Sequence, residues 1–309
     1  MSPRRVLILC FVVAAVSSVA IASEMRVASL REKVQAQEAK AMGEPDTPAP
    51  QLQYPAKPMQ QTDTMVPNAA EDTVLKAYIT PEEPLKKGVA SELTLALKDK
   101  DGKPVTIDTL EERHTRKIHL LVIDEALGDY HHLHPTPGKN GTYTFSFTPA
   151  TAHNYKVFAD VKPVGGDAEM VPVALAGRDA CSENCIDKKS IYEAKTGDIT
   201  AKLEFDQKSL KVGTPAKGDV LLTDAKGAPV KNLEPVMGAY AHIVGFYDNF
   251  MTVAHMHPLG DEPKDAKERG ASPVKFMLHP QRAGFLKLFV QIHRDGKDVF
   301  IPFGVTVGD

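Results

Sequence analysis

From residue 73 to the C terminus the chain is written in short runs whose apolar residues recur at every second position. Leu93, Leu95 and Leu97 alternate with Thr94 and Ala96, and Tyr143, Phe145 and Phe147 alternate with Thr144 and Ser146. Period two puts one set of side chains on one face of an extended chain, so each run predicts a half-buried β-strand. Gly, Pro, Asp and Asn punctuate the runs, and Asn140-Gly141 ahead of Thr-Tyr-Thr-Phe is a tight-turn signal. No helical period of useful length interrupts them. The expected fold is all-β, built of antiparallel β-sandwiches. The chain has no Trp, and neither β segment contains a cysteine. The pins of antibody-type domains are therefore missing, and both Ig-like and cupredoxin-like topologies remain open.

The pattern occurs twice. Leu75-Lys76-Ala77-Tyr78 leading to Leu85-Lys86-Lys87-Gly88 matches Thr200-Ala201-Lys202-Leu203 leading to Leu210-Lys211-Val212-Gly213. Gly102-Lys103-Pro104-Val105 matches Gly227-Ala228-Pro229-Val230, and Lys117 to Asp124 matches Ala241 to Tyr247. Tyr155 to Asp160 pairs with Leu286 to Gln291. An internal repeat fixes the domain plan before any finer assignment. Two tandem sandwiches are expected at 73–175 and 198–309, joined by a cysteine-containing linker at 176–197.

The chain ahead of them is different. Arg4 and Arg5 precede an apolar stretch from Val6 to Ala22 that ends on Ala20-Ile21-Ala22. This reads as an export signal over residues 1–22 or, if uncleaved, as a membrane anchor over residues 6–22. Residues 23–72 include Pro45, Pro48, Pro50, Pro55, Pro58 and Pro67 among polar residues, the composition of a flexible spacer. Export places the mature chain in the periplasm or outside the cell. With 37 basic against 40 acidic side chains and a net charge of −3, nothing attracts nucleic acid.

The repeat also carries the candidate chemistry. His119 is followed by His132-Leu133-His134-Pro135, and His242 by His255-Met256-His257-Pro258, with equal spacing. Residues i and i+2 of a strand share a face, and an antiparallel return brings the start of one strand beside the end of the next. His119, His132 and His134 can therefore converge, and so can His242, His255 and His257. Three neutral imidazoles suit Cu(II) and Zn(II), with copper expected ahead of zinc. Blue-copper chemistry is disfavoured because neither copy offers a thiolate. Where a further ligand or a His-orienting group would lie the copies differ: Asp160 aligns with Gln291 and Lys162 with His293, which makes Asp160 and His293 additional candidates. His114, His131, His153 and His279 lack counterparts and read as surface or edge residues. Met237 and Met256 read as packing.

Cys181 and Cys185 lie between the repeats. After export a disulfide is the first expectation, and a Cu(I)-binding dithiol is the alternative. Enzyme signatures are missing: there is no G-x-S-x-G elbow, P-loop or H-E-x-x-H word. A packed polar cluster closing each strand is the non-metal account of the histidines.

The words Lys117-Ile118-His119-Leu120-Leu121-Val122, Tyr130-His131-His132-Leu133-His134-Pro135, Gly141-Thr142-Tyr143 and Tyr155 to Asp160 resemble a group of secreted bacterial β-sandwich domains. In general pattern they are similar to YtkA-like and heavy-metal-associated periplasmic proteins. The resemblance spans both repeats and implies an exported β domain whose HxHP segment binds metal. The expectation is an exported metal-binding or metal-handling protein with one site per repeat and a cell-envelope or metal-transport partner. The competing expectation is a structural or interaction module of the cell envelope without metal.

Overall fold

The computed structural model describes residues 73–182, 185–256 and 258–309. The export signal, the spacer and His257 lie outside the described residues, as does the side chain of His255. The strands of the first repeat are β1 (Lys76–Thr80), β2 (Ser91–Lys98), β3 (Ile118–Asp124), β4 (Tyr130–Leu133), β5 (Thr136–Pro137), β6 (Thr142–Phe147), β7 (Tyr155–Val161) and β8 (Glu169–Leu175). Those of the second are β9 (Glu193–Thr196), β10 (Ile199–Phe205), β11 (Leu210–Lys211), β12 (Ala216–Thr223), β13 (His242–Tyr247), β14 (Val253–Met256), β15 (Pro258–Leu259), β16 (Val274–Leu278), β17 (Gly284–Arg294) and β18 (Lys297–Gly308).

Each repeat is a two-sheet sandwich. In the first, β1-β2-β6-β5 faces β4-β3-β7-β8; in the second, β15-β16-β12-β10-β9 faces β11-β18-β17-β13-β14. Within each, consecutive hairpins alternate between the two sheets, the strand order of Ig-like domains. β9 takes the second domain back into the segment expected as linker, where it pairs with β10. The local turn chemistry repeats as well. Asp99 Oδ1 accepts from the N–H groups of Asp101 and Lys103, and Asp224 Oδ1 accepts from those of Lys226 and Ala228. At the predicted tight turn, Asn140 and Gly141 both have positive φ, 53° and 69°, and Thr142 N–H donates to Lys139 O at 3.2 Å. That is the mirror-image turn that matches strand twist.

Both repeats belong to one compact unit, and the reason is visible in β3 and β13. Every residue of both strands is buried. Ile118, Leu120 and Val122 enter the core of the first sandwich, while Leu121 and Ile123 enter a different cluster with Leu127, Tyr130, Phe158 and Met170. That cluster also contains Val244, Phe246, Val253 and Phe289 of the second repeat. Ile243, Leu288 and Val290 fill the second core instead. The sheets containing β3 and β13 thus press their outer faces together. A strand buried on both faces loses alternation, which explains the unbroken Leu120-Leu121-Val122-Ile123. Burying a side chain of this size contributes about 1.5–3 kcal/mol, so the seam between the repeats is a third core.

Candidate metal centre

The histidines occupy one end of this seam. His119 shares strand parity with Leu121 and Ile123, and His132 shares it with Tyr130, so both rings are set on the seam face of their sheet. β4 returns against β3 with Leu121 opposite His132, as the antiparallel argument requires. His119 Nδ1 lies 3.2 Å from His132 Nε2 and 3.1 Å from His134 Nε2. One ligand atom from each of the three rings falls within 4.8 Å of the others. Exposure grades across the set: His119 is 1% exposed and His132 9%, and His134 is exposed. The open side gives an ion a way in.

The ring orientations are held from outside the triad. His119 Nε2 donates to the carbonyl oxygen of Arg113 at 2.9 Å, and His132 Nδ1 donates to Gln291 Oε1 at 3.0 Å. The Arg113 carbonyl only accepts, which protonates His119 on Nε2, and Gln291 presents its amide oxygen to His132 Nδ1. The inner nitrogens, His119 Nδ1 and His132 Nε2, then face each other. At 3.2 Å such a pair either shares a proton or binds a cation between them. Nitrogens bound tetrahedrally to one ion at ~2.0–2.1 Å are separated by about 3.3 Å. His134 is held neutral too: above all, desolvation of its ring keeps its pKa well below the usual imidazole value.

The other expected residues are placed as follows. Asp160 pairs with His119 in the β3–β7 register, and its carboxylate binds the Arg113 guanidinium at 3.2 Å. It therefore steadies the residue whose carbonyl holds His119. Gln291 is the matching residue in the β13–β17 register, opposite His242, yet its side chain serves His132 of the other repeat. His293 stands at the far end of β17 with Nδ1 2.8 Å from Asp298 Oδ1 and Nε2 3.6 Å from Glu234 Oε2. Cys181 and Cys185 are bonded to each other with Cα atoms 5.9 Å apart; in that state they present no thiolate for Cu(I). Met256 is buried in the second core.

His242 does not stand apart in a site of its own repeat. Its ring centroid lies 5.4 Å from that of His132 and 6.4 Å from that of His119, nearly parallel to the latter. The strands around it repeat the first copy: Val244 faces His255 as Leu121 faces His132. His114, expected at the surface, is half-buried with its ring 5.5 Å from His242. A sequence signal for it existed, since His114 precedes His119 by five residues as Met237 precedes His242. No comparable signal marked Gln291 as a partner of the other copy. Elsewhere, His153 Nδ1 lies 3.2 Å from buried Asp124, and His131 Nε2 lies 3.1 Å from Asp129.

No helix among the described residues is long and apolar enough to cross a membrane. No curated protein matches the sequence. Among solved structures, the chain is similar to a variant of Salmonella alpha-2-macroglobulin at 15% identity and TM-score 0.27, covering 81% of this chain and 16% of that one. It is similar to invasin, a bacterial integrin-binding protein, at 13% identity and TM-score 0.22, covering 75% of this chain and 39% of that one. With the Yersinia pseudotuberculosis adhesin InvE the figures are 12% and 0.22, covering 76% of this chain and 59% of that one. The chain thus spans less than two thirds of the length of each. A family model matches both repeats, over residues 72–177 and 194–309, and by that match the chain belongs to the family described as a domain of unknown function, DUF8832.

Proposed function

We propose that this protein binds a transition-metal ion at His119, His132 and His134 and handles that metal outside the cytoplasm. One observation carries the reading: ligand atoms of His119, His132 and His134 converge within 4.8 Å of one another, with His119 Nε2 and His132 Nδ1 held from outside by Arg113 O and Gln291 Oε1. An all-imidazole donor set suits Cu(II) and Zn(II), and the affinity order of divalent ions puts copper ahead of zinc. The residues fit such an ion in type, spacing and orientation, and outer partners fix two of the three rings. The similarity in pattern to YtkA-like and heavy-metal-associated periplasmic proteins supports the same reading. So does the signal-like sequence of residues 1–22, which would deliver the chain to the cell envelope and to a metal-transport partner there.

The sequence repeat supports a matching set of His242, His255 and His257, and the equal register of the strands around His242 favours it. Metal titration of the purified protein tests both, with the double variants His132→Ala/His134→Ala and His255→Ala/His257→Ala. Loss of one equivalent of Cu(II) or Zn(II) in the first variant is expected. Unchanged binding there removes the triad, and absence of binding in the parent protein leaves a structural or interaction module without metal.

A further inference from the structure

The turn before β3 is built against its own residue types. Arg113 N–H donates to Arg116 O at 2.8 Å and Arg116 N–H to Arg113 O at 3.0 Å, which makes His114 and Thr115 the two central residues. Their φ angles are 49° and 67°. This left-handed region favours Gly and Asn, and a β-branched residue rarely enters it. The second repeat makes the same turn with Met237 at 51° and Gly238 at 80°, closed by Val236 and Ala239. The first repeat thus keeps an imidazole and a threonine where its own copy relaxes one position to glycine. At the first central position both copies keep a left-handed side chain, His114 and Met237, so the turn presents a side chain there in either repeat.

The ring of His114 reaches across the seam to His242, a residue of the other repeat, with centroids 5.5 Å apart and planes at 74°. Two imidazoles on one tetrahedral ion, with nitrogens ~2.0–2.1 Å from it, have centroids about 5 Å apart. The triad has that geometry, at 5.3, 4.9 and 5.1 Å, and the His114–His242 pair has nearly the same spacing. His242 is 1% exposed and lies 5.4 Å from His132, so the pair adjoins the triad.

We infer that His114 and His242 hold a second divalent ion beside the first, giving a two-ion centre whose ligands come from both repeats. The inference rests on the metal reading of the triad and deepens it. His114 leaves its own repeat to complete the ion at His242, as Gln291 leaves its own repeat to orient His132. Binding the second ion thereby ties the two sandwiches together at the histidine end of the seam.

The test is Cu(II) titration of the full chain, with bound metal counted after desalting, in the parent protein and in His114→Gly, His242→Ala and His132→Ala/His134→Ala. His114→Gly places glycine in a turn that favours it, so folding is preserved, and His114→Asn, also tolerant of the left-handed region, is its companion. Two equivalents in the parent falling to one in both His114→Gly and His242→Ala is the expected result. Two equivalents retained in His114→Gly and His114→Asn overturns the role of His114. One equivalent in the parent, kept in His242→Ala and lost in His132→Ala/His134→Ala, overturns the second ion and leaves the triad standing. No bound copper in the parent overturns both.

Discussion

His132 and Gln291 lie 159 positions apart in the chain and 3.0 Å apart in the fold, the imidazole Nδ1 donating to the amide oxygen. The group that holds a triad ring from outside therefore belongs to the other repeat. Removing such an outer partner typically weakens a metal site by roughly 10–100-fold. Gln291→Leu should weaken Cu(II) binding at the triad by about that factor, while Gln291→Glu, which still accepts from Nδ1, should retain it. Competition against a chromophoric chelator measures both. Equal affinity in Gln291→Leu and the parent would show that His132 is oriented without help from the second repeat.

The seam should behave as a core. Phe246 packs in it with its ring 5.3 Å from Tyr130 and 6.2 Å from Phe289. Phe246→Ala should cost about 3–5 kcal/mol, the range for a buried aromatic truncated to alanine. The parent should unfold in one urea transition reported alike by fluorescence and circular dichroism, and Phe246→Asp should split it into two. A midpoint untouched by Phe246→Ala would mean that the repeats do not stabilise each other.

Asp129 ties the region beside β4 to acid stability. Burial by itself would raise its carboxyl, but hydrogen bonds from His131, Tyr155 and the Ala150 N–H outweigh it and hold the pKa below the ordinary 3.8. The Tyr155 hydroxyl donates to Oδ2 at 2.5 Å and Ala150 N–H at 2.7 Å. A carboxyl depressed in the folded state contributes stability above its unfolded pKa and loses it as pH falls through the folded value. Tyr155→Phe should therefore cost about 1.5–3 kcal/mol at pH 7, the range for a bond to a charged acceptor. The difference should shrink below about pH 4. Denaturation series at pH 7 and pH 3 decide it; a pH-independent difference assigns the loss to packing.

Thr115 offers a gain. Relieving a left-handed non-glycine backbone returns roughly 1–2 kcal/mol, so Thr115→Gly should raise the urea midpoint and leave the copper count unchanged. A lower midpoint would show that the threonine methyl and hydroxyl stabilise the turn more than its backbone opposes it.

The bridge between Cys181 and Cys185 closes a very short loop, worth about 2 kcal/mol on chain entropy. Cys181→Ser/Cys185→Ser should lower stability by no more than that and should not change Cu(II) stoichiometry. Added Cu(I) separates the two chemistries: a reduced parent that takes up one more Cu(I) than the double serine variant would revive the dithiol reading of this pair.

Much of the fold was legible because it is local. Alternation at Leu93, Leu95 and Leu97 marked a strand with one buried face, Asn140-Gly141 marked the mirror-image turn, and the paired words from Leu75 and Thr200 onward marked two copies of one sandwich. The triad was legible for the same reason: i and i+2 share a face, and neighbouring antiparallel strands return at a distance set by the turn. The alignment of Asp160 with Gln291 also survives in space, since each stands opposite the first histidine of its copy.

What the two copies do to each other was decided only by tertiary structure. Leu120-Leu121-Val122-Ile123 and Ile243-Val244-Gly245-Phe246 hinted at burial on both faces, but a run of apolar residues does not say what covers its second side. The sequence by itself determined two β-sandwiches, the strands that hold His119, His132 and His134, and the faces those side chains share. The packing of sheet on sheet decided that the seam joins the repeats, that Gln291 reaches His132, and that His114 meets His242. Those contacts join residues separated by more than a hundred positions, and no periodicity along a chain encodes a distance between surfaces that meet only after each has folded.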